Sequence, residues 1–267
     1  TWELIDGVQR LSSIIRYVGD ESVREKINLD GQLTLTNLEK LDTFNGKKFL
    51  ELPKPIQLSL LLKPLKITTL SDKSDLSVRF DLFERLNTGG ISLTNQEIRS
   101  CVYRGRFNDF LKECSSNADF RTVVRLTEKQ ESDGTRDEFV LRFFAFYDKY
   151  EEFDHSVVDF LNEYMTASNK HFDYTAKKAL FEKTFAALAS IFPNGIHRTG
   201  RTKTPTNLYE SVAVGAAKAL DEVEQINTTA DWVNEEEVRG LTTGATNSRA
   251  RVAGRIEFAK QKFTDAN

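Results

Sequence analysis

The sequence predicts an α+β chain, with a mixed α/β segment over residues 1–106 and a predominantly α-helical one over 107–267. Three observations predict it. Trp2 to Ile5 is an extended apolar run broken by Asp6-Gly7, after which Val8, Leu11, Ile14, Ile15 and Val18 take the spacing of one helical stripe. A hairpin of two β-type runs and a further such run follow within the first hundred residues. Beyond Phe107 the apolar residues recur almost throughout at helical spacing, and the composition shifts near residue 106.

Taken in order, Lys26-Ile27-Asn28-Leu29, an Asp30-Gly31 turn and Gln32-Leu33-Thr34-Leu35 read as a hairpin. The stretch from Asn37 to Leu62 is punctuated by Asn45-Gly46, Pro53 and Pro55. Leu65-Lys66-Ile67-Thr68-Thr69-Leu70 reads as a second core strand, and a helix follows from about Leu76 to Leu86. Thr94-Asn95-Gln96-Glu97 is a capping box, so a helix starts there, runs towards Tyr103 and stops near Gly105. Asp137 to Tyr150 is apolar on nearly every side, which places it in the centre of a helical bundle. Further helices are read at Ser156–Thr166, Tyr174–Phe192, Leu208–Val223 and Asn247–Phe263.

Composition bounds the function. The 267 residues can bury a proper core, and 19 Phe against one Met predict a core built on aromatic rings. A net charge of −3 gives no global basic field, so any DNA contact must come from a local patch. Cys101 and Cys114 lack partners in a metal pattern, and two thiols suit a reduced, cytoplasmic location. No apolar stretch reaches the roughly 18 residues of a membrane span.

The Asp6-to-Arg10 turn carries the most chemistry. A glycine turn that opens a helix points backbone N–H groups outward, where an anion can bind, and Arg10 stands in the first helical turn beside Gln9, Ser12 and Ser13. The plainer reading is that Asp6 caps the helix, Gly7 makes the turn and Arg10 is solvated. A second loop, Asn87-Thr88-Gly89-Gly90, precedes the helix at Thr94, with Arg85 beside it as a bidentate donor. Its plainer reading is a connector, with Glu97 only completing the Thr94 cap. No Walker A sequence occurs.

Asp6-Gly7-Val8-Gln9-Arg10-Leu11-Ser12-Ser13-Ile14 resembles the Asp-Gly-Gln-Gln-Arg-Leu-Thr-Thr-Leu signature of the GmrSD-type restriction-system amino-terminal domain, a family related to the ParB/sulfiredoxin fold. The run from Phe83 to Arg99 is similar to the family's Phe-x-Arg-x-Asn-x-x-Gly-x-x-Leu-x-x-x-Glu signature, and Asp137 to Phe143 carries a third similarity, so the likeness extends over nearly the whole chain. Val8 departs from the family's first Gln, and the upstream Tyr-Gln-Arg…Trp segment is not seen, so the chain reads as lacking that domain's first segment.

The resemblance implies a ParB/sulfiredoxin-like nucleotide-binding domain over 1–106. It implies nucleotide binding, with slow NTP hydrolysis, in a DNA-directed restriction or antiphage system. The implied nucleotide site is Asp6, Gly7, Gln9, Arg10, Ser13, Arg85, Asn87, Thr88, Gly89 and Gly90, with both glycine turns sharing one triphosphate. An NTP of unassigned base is the implied ligand, with Mg²⁺ as its companion ion. For hydrolysis only Asp6, Glu97 or Glu138 offers a carboxylate. A non-catalytic DNA- or partner-binding scaffold is the alternative, followed by a nuclease subunit with unrecognised catalytic groups.

The remaining polar residues have two readings each. Glu138 and Arg142, at i and i+4 on the most apolar helix, read as a buried ion pair or as contacts to a ligand. Asp133 and Asp137 could collect a metal but are too few to name one. His155, His171 and His197 lie far apart without zinc spacing. Cys101 reads as a core thiol. Arg198, Arg201 and Lys203 form a basic loop, and Arg251, Arg255 and Lys262 share one side of the last helix beside an apolar stripe of Val252, Ile256, Ala259 and Phe263. Solvated faces are the usual fate of such residues, but Arg198, Arg201, Lys203, Arg251 and Arg255 are the best candidates for DNA phosphate contacts.

Overall fold

A computed structural model describes residues 7–29, 31–67, 75–86, 93–226, 228–244 and 246–265. Contacts divide the chain into two compact units, Thr1–Asp75 and Leu76–Asn267. The composition shift near residue 106 falls inside the second.

In the first unit, α1 (Val8–Val18) begins at the turn read from sequence, with Gly7 at the cap position in the left-handed conformation, φ 89°. Gly19 N–H closes α1 by donating to Ile15 O at 2.8 Å. The next residues depart from expectation. Asp20 accepts from Val23 N–H at 2.9 Å and caps α2 (Glu21–Lys26), so Lys26 ends a helix where a hairpin strand was expected. Asn28 then turns through φ 52°.

Gln32 to Leu35 is extended but joins no ladder. Leu33 N–H donates to Arg16 O at 3.0 Å, and Leu35 N–H donates to Lys47 O at 3.1 Å. Leu33 and Leu35 pack instead on a small core of Tyr17, Phe49 and Leu52, in which the Tyr17 and Phe49 rings meet edge-on at 5.8 Å. α3 (Lys54–Leu61) follows, with proline in its first turn and the buried Gln57 donating to Leu52 O at 2.7 Å. Residues 65–67 hold no regular structure and their apolar side chains are exposed.

Among the described residues there is no strand, so the expected α+β class is corrected: the protein is all-α, and a ParB/sulfiredoxin-like sheet is not supported. The Trp2–Ile5 run, Asp30 of the expected turn and residues 68–70 of the second run lie outside the described residues. The physical reason elsewhere is local. An Asp-capped first turn at 20–23 and tertiary burial of Leu33 and Leu35 satisfy backbone and side chains without strand pairing.

The second unit opens with α4 (Leu76–Leu86) and α5 (Asn95–Val102). It continues with α6 (Arg106–Ser115), α7 (Ala118–Val123), α8 (Glu128–Ser132) and α9 (Thr135–Lys149). Then come α10 (Val157–Ser168), α11 (Tyr174–Ile191), α12 (Thr206–Leu220), α13 (Glu236–Thr242) and α14 (Arg249–Thr264). α9 is the central helix that its composition predicts: Val140, Leu141, Phe143, Phe144, Ala145 and Phe146 are fully buried. Around it the phenylalanines pack edge to face, Phe143 on Phe181 at 5.6 Å and Phe120 on Phe185 at 4.9 Å.

α12 and α14 approach closely because Gly215 has no side chain. A Cβ there would lie 2.6 Å from Ala259 Cβ and 2.8 Å from Lys260 N. Val252, Ile256, Ala259 and Phe263 of α14 are all buried, as their stripe predicts.

Candidate functional site

The two expected glycine turns fall in different units. At the first, Gly7 O accepts the first helical bond from Leu11 N–H at 2.8 Å. No acid stands in the first turn of α1, whose positive dipole end is therefore not offset by a described carboxylate there. The Arg10 guanidinium folds back over the glycine: a Cβ on Gly7 would lie 3.5 Å from Arg10 Nη2 and 3.7 Å from its Nε. Glycine thus has one local ground, its positive φ, since a Cβ would meet the guanidinium only at ordinary van der Waals distance. Gln9, Arg10 and Ser13 are exposed on this helix start. The arrangement can present an arginine fork and helical amides to one oxyanion. Asp6 lies outside the described residues.

At the second, Arg85 is exposed in the last turn of α4, while Asn87, Thr88, Gly89 and Gly90 lie outside the described residues. The capping box beyond them is present. Thr94 N–H donates to Glu97 Oε2 at 2.7 Å, and Glu97 N–H donates to Thr94 Oγ1 at 3.2 Å. Thr94 Oγ1 in turn donates to Asp133 O at 2.7 Å, which ties the start of α5 to the turn before α9. Glu97 is thereby engaged in helix capping.

Glu138 is engaged in a chain of buried charges that crosses four helices. Arg99 of α5 donates from Nη1 to Glu138 Oε2 of α9 at 3.0 Å. Arg142 donates from Nε and Nη2 to Glu138 Oε1 at 2.9 and 2.7 Å, and from Nη1 to Glu210 Oε1 of α12 at 2.5 Å. Arg255 of α14 pairs with Glu210 Oε2 and donates from Nη1 to Thr246 O at 2.8 Å. Burial alone would raise Glu138, but Arg142 and then Arg99 outweigh it and hold the carboxyl below its usual range. Desolvation would likewise lower Arg142, and Glu138 with Glu210 reverses it, so this guanidinium keeps its charge. The ion-pair reading of Glu138 and Arg142 is the one the structure shows.

Other expectations resolve individually. Asp133 accepts from Thr135 N–H at 3.1 Å and Asp137 stands in the first turn of α9. Among the described residues no three His, Cys, Asp or Glu side chains gather as metal ligands. Cys101, expected in the core, is exposed, whereas Cys114 is buried, and burial pushes its thiol up to about 12. Arg255, expected at the surface for DNA, is 1 % exposed and ion-paired, so it has no solvent-facing guanidinium to offer a phosphate. Its position at i+3 from Val252 and i−4 from Ala259 puts it on the apolar stripe itself. Arg201, Lys203 and Arg251 are exposed, and Arg198 is half-buried.

Sequence reading missed Arg99 and Glu210. The signal for Glu210 was present, since a lone acid inside the apolar run Leu208 to Ala217 requires a buried cation. No helix among the described residues is long and apolar enough to cross a membrane.

Residues 1–104 match the family model of the GmrSD restriction endonuclease, N-terminal domain. The resemblance drawn from 6–14 and 83–99 holds over this segment, which runs from the first unit through α5. The third similarity, at 137–143, lies beyond it. No curated protein and no solved structure matches the chain.

Proposed function

We propose that this chain, whose residues 1–104 match the GmrSD N-terminal domain model, serves in a restriction system and binds a nucleoside triphosphate through the start of α1. The observation that carries the reading is the Arg10 guanidinium beside the left-handed Gly7 at the start of α1. Backbone amides at such a start and a planar, permanently charged fork suit a phosphate oxyanion. Gln9 and Ser13 add exposed donors on the same helix. Mg²⁺ is read as the ion that accompanies the triphosphate.

Slow or effector-dependent hydrolysis fits better than fast turnover. Of the carboxylates that could position a water, Glu97 is held in the Thr94 cap and Glu138 between two arginines. Neither is poised as a general base. The same observation favours the scaffold as second reading, in which the domain binds nucleotide or a partner without cleaving it. Titration of the chain with ATP, GTP, CTP and UTP, with and without Mg²⁺, tests the proposal, with phosphate release measured alongside. Saturable binding of at least one NTP with slow release supports it. Absence of binding to all four contradicts it.

A further inference from the structure

Away from the family-matched segment, the loop between α11 and α12 folds an arginine against α13. Arg198 donates from Nη2 to Thr242 Oγ1, and the loop is pinned by Thr199 N–H donating to Asn234 Oδ1 at 3.0 Å. The His197 ring sits between Asn194 O at 3.0 Å and Arg198 O at 3.3 Å, which stiffens the turn. Arg198 is half-buried, and its Nε is sealed from solvent without an acceptor. Desolvation first, and then the charge of Arg239, hold this guanidinium below the ordinary arginine value. Arg251, from α14, reaches the same helix and donates from Nη1 to Gly240 O at 2.9 Å.

Arg198, Arg239 and Arg251 therefore gather on the last turn of α13 without a counter-ion. The ion pairs formed among the described residues include none of them. Glu235 is taken by Lys262, and Glu236 and Glu237 stand at the opposite end of α13. Thr242 Oγ1 and Gly240 O each satisfy one donor, but two neutral oxygens do not neutralise three charges. Like charges held together and partly out of water cost free energy that a bound oxyanion returns.

We propose that Arg198, Arg239 and Arg251 bind phosphodiester groups of a nucleic-acid strand. The positive charge extends beyond what one phosphate needs: Arg201 and Lys203 are exposed on the same loop as Arg198, and Arg249 is exposed at the acid-free start of α14. No aromatic side chain interleaves with these cations in the 197–203 loop, so the contacts read the backbone rather than the bases. This site is independent of the nucleotide reading at Gly7 and Arg10, which belong to the other unit.

Fluorescence anisotropy with a labelled DNA duplex tests it on the full chain. Wild type is compared with Arg239→Ala/Arg251→Ala and with Lys170→Ala/Lys183→Ala, which removes two exposed cations elsewhere. The arginine double variant should bind about tenfold or more weakly and lose about 2 from the salt slope between roughly 50 and 200 mM, while the lysine control changes little. Arg239→Lys/Arg251→Lys keeps the charge and should retain most of the affinity. All four proteins should melt together, because the replaced side chains are exposed. Equal weakening in both alanine double variants would show a diffuse field and overturn the site. So would unchanged DNA affinity in the folded arginine variant. Inorganic phosphate forms the second arm. Stabilisation by phosphate that the arginine variant loses, with DNA binding unaffected, would replace the strand by a free anion and overturn the proposal.

Discussion

Glu210 and Arg255 face each other from α12 and α14 with both side chains 1 % exposed. Removing the carboxylate would leave Arg255, whose Nε already lacks an acceptor, and Arg142 with charge out of water. Glu210→Ala should cost about 3–5 kcal/mol in urea unfolding. A cost below about 1 kcal/mol would show that water reaches the network.

The stability of the second unit should depend on Glu138 with a defined sign. Its folded pKa lies below the unfolded value of 4.5. Its contribution is therefore present above pH 4.5 and lost as pH falls through the depressed folded value. Glu138→Gln should reduce stability at neutral pH and flatten the acid limb of the stability curve. An acid limb unchanged in that variant would remove Glu138 from the account.

Gly215→Ala sets helix propensity against packing. In an exposed helix the change would gain about 1 kcal/mol. Here the new Cβ meets Ala259 Cβ at 2.6 Å and backbone N of Lys260 at 2.8 Å, and backbone cannot yield as a flexible side chain would. Packing should win, with a net loss of about 1–3 kcal/mol and a lower melting temperature. A stabilised variant would mean that α12 and α14 separate easily.

Thr94→Ala removes both the cap of α5 and the bond to Asp133 O. The loss should be about 1–2 kcal/mol in chemical unfolding. Thr94→Ser keeps the oxygen and should recover most of it.

Helices were legible where caps and stripes agreed. Val8–Val18 and Leu76–Leu86 have the bounds that their spacing predicts, and the Thr94 capping box starts α5. The fold class was not legible, because Gln32 to Leu35 alternates like a strand yet buries Leu33 and Leu35 against Tyr17 without a pairing partner. Asp20-Glu21, an N-cap followed by an acid in the first turn, was the available sign against a hairpin. At the candidate site, Gly7 and Arg10 stand together as read, while Arg255 went astray because charge was weighed before its place on the apolar stripe. The Arg198–Arg239 juxtaposition joins residues from separate loops and helices, which no local spacing encodes.

Gly7→Ala probes the same helix start from the backbone. At φ 89° an L side chain should cost about 1–2 kcal/mol, while its Cβ would sit at ordinary van der Waals distance, 3.5 Å, from the Arg10 guanidinium. Nucleotide affinity should fall together with stability.

The most direct test is NTP binding by Arg10→Ala, measured by titration calorimetry beside the thermal melt. Arg10 is exposed, so the melt should hold while a charge-assisted contact worth about 1.5–3 kcal/mol is lost, weakening binding roughly tenfold or more. Arg10→Lys, which keeps the charge but not the fork, should fall between the two. Unchanged NTP affinity in a folded Arg10→Ala protein would contradict the assignment of a phosphate to this turn.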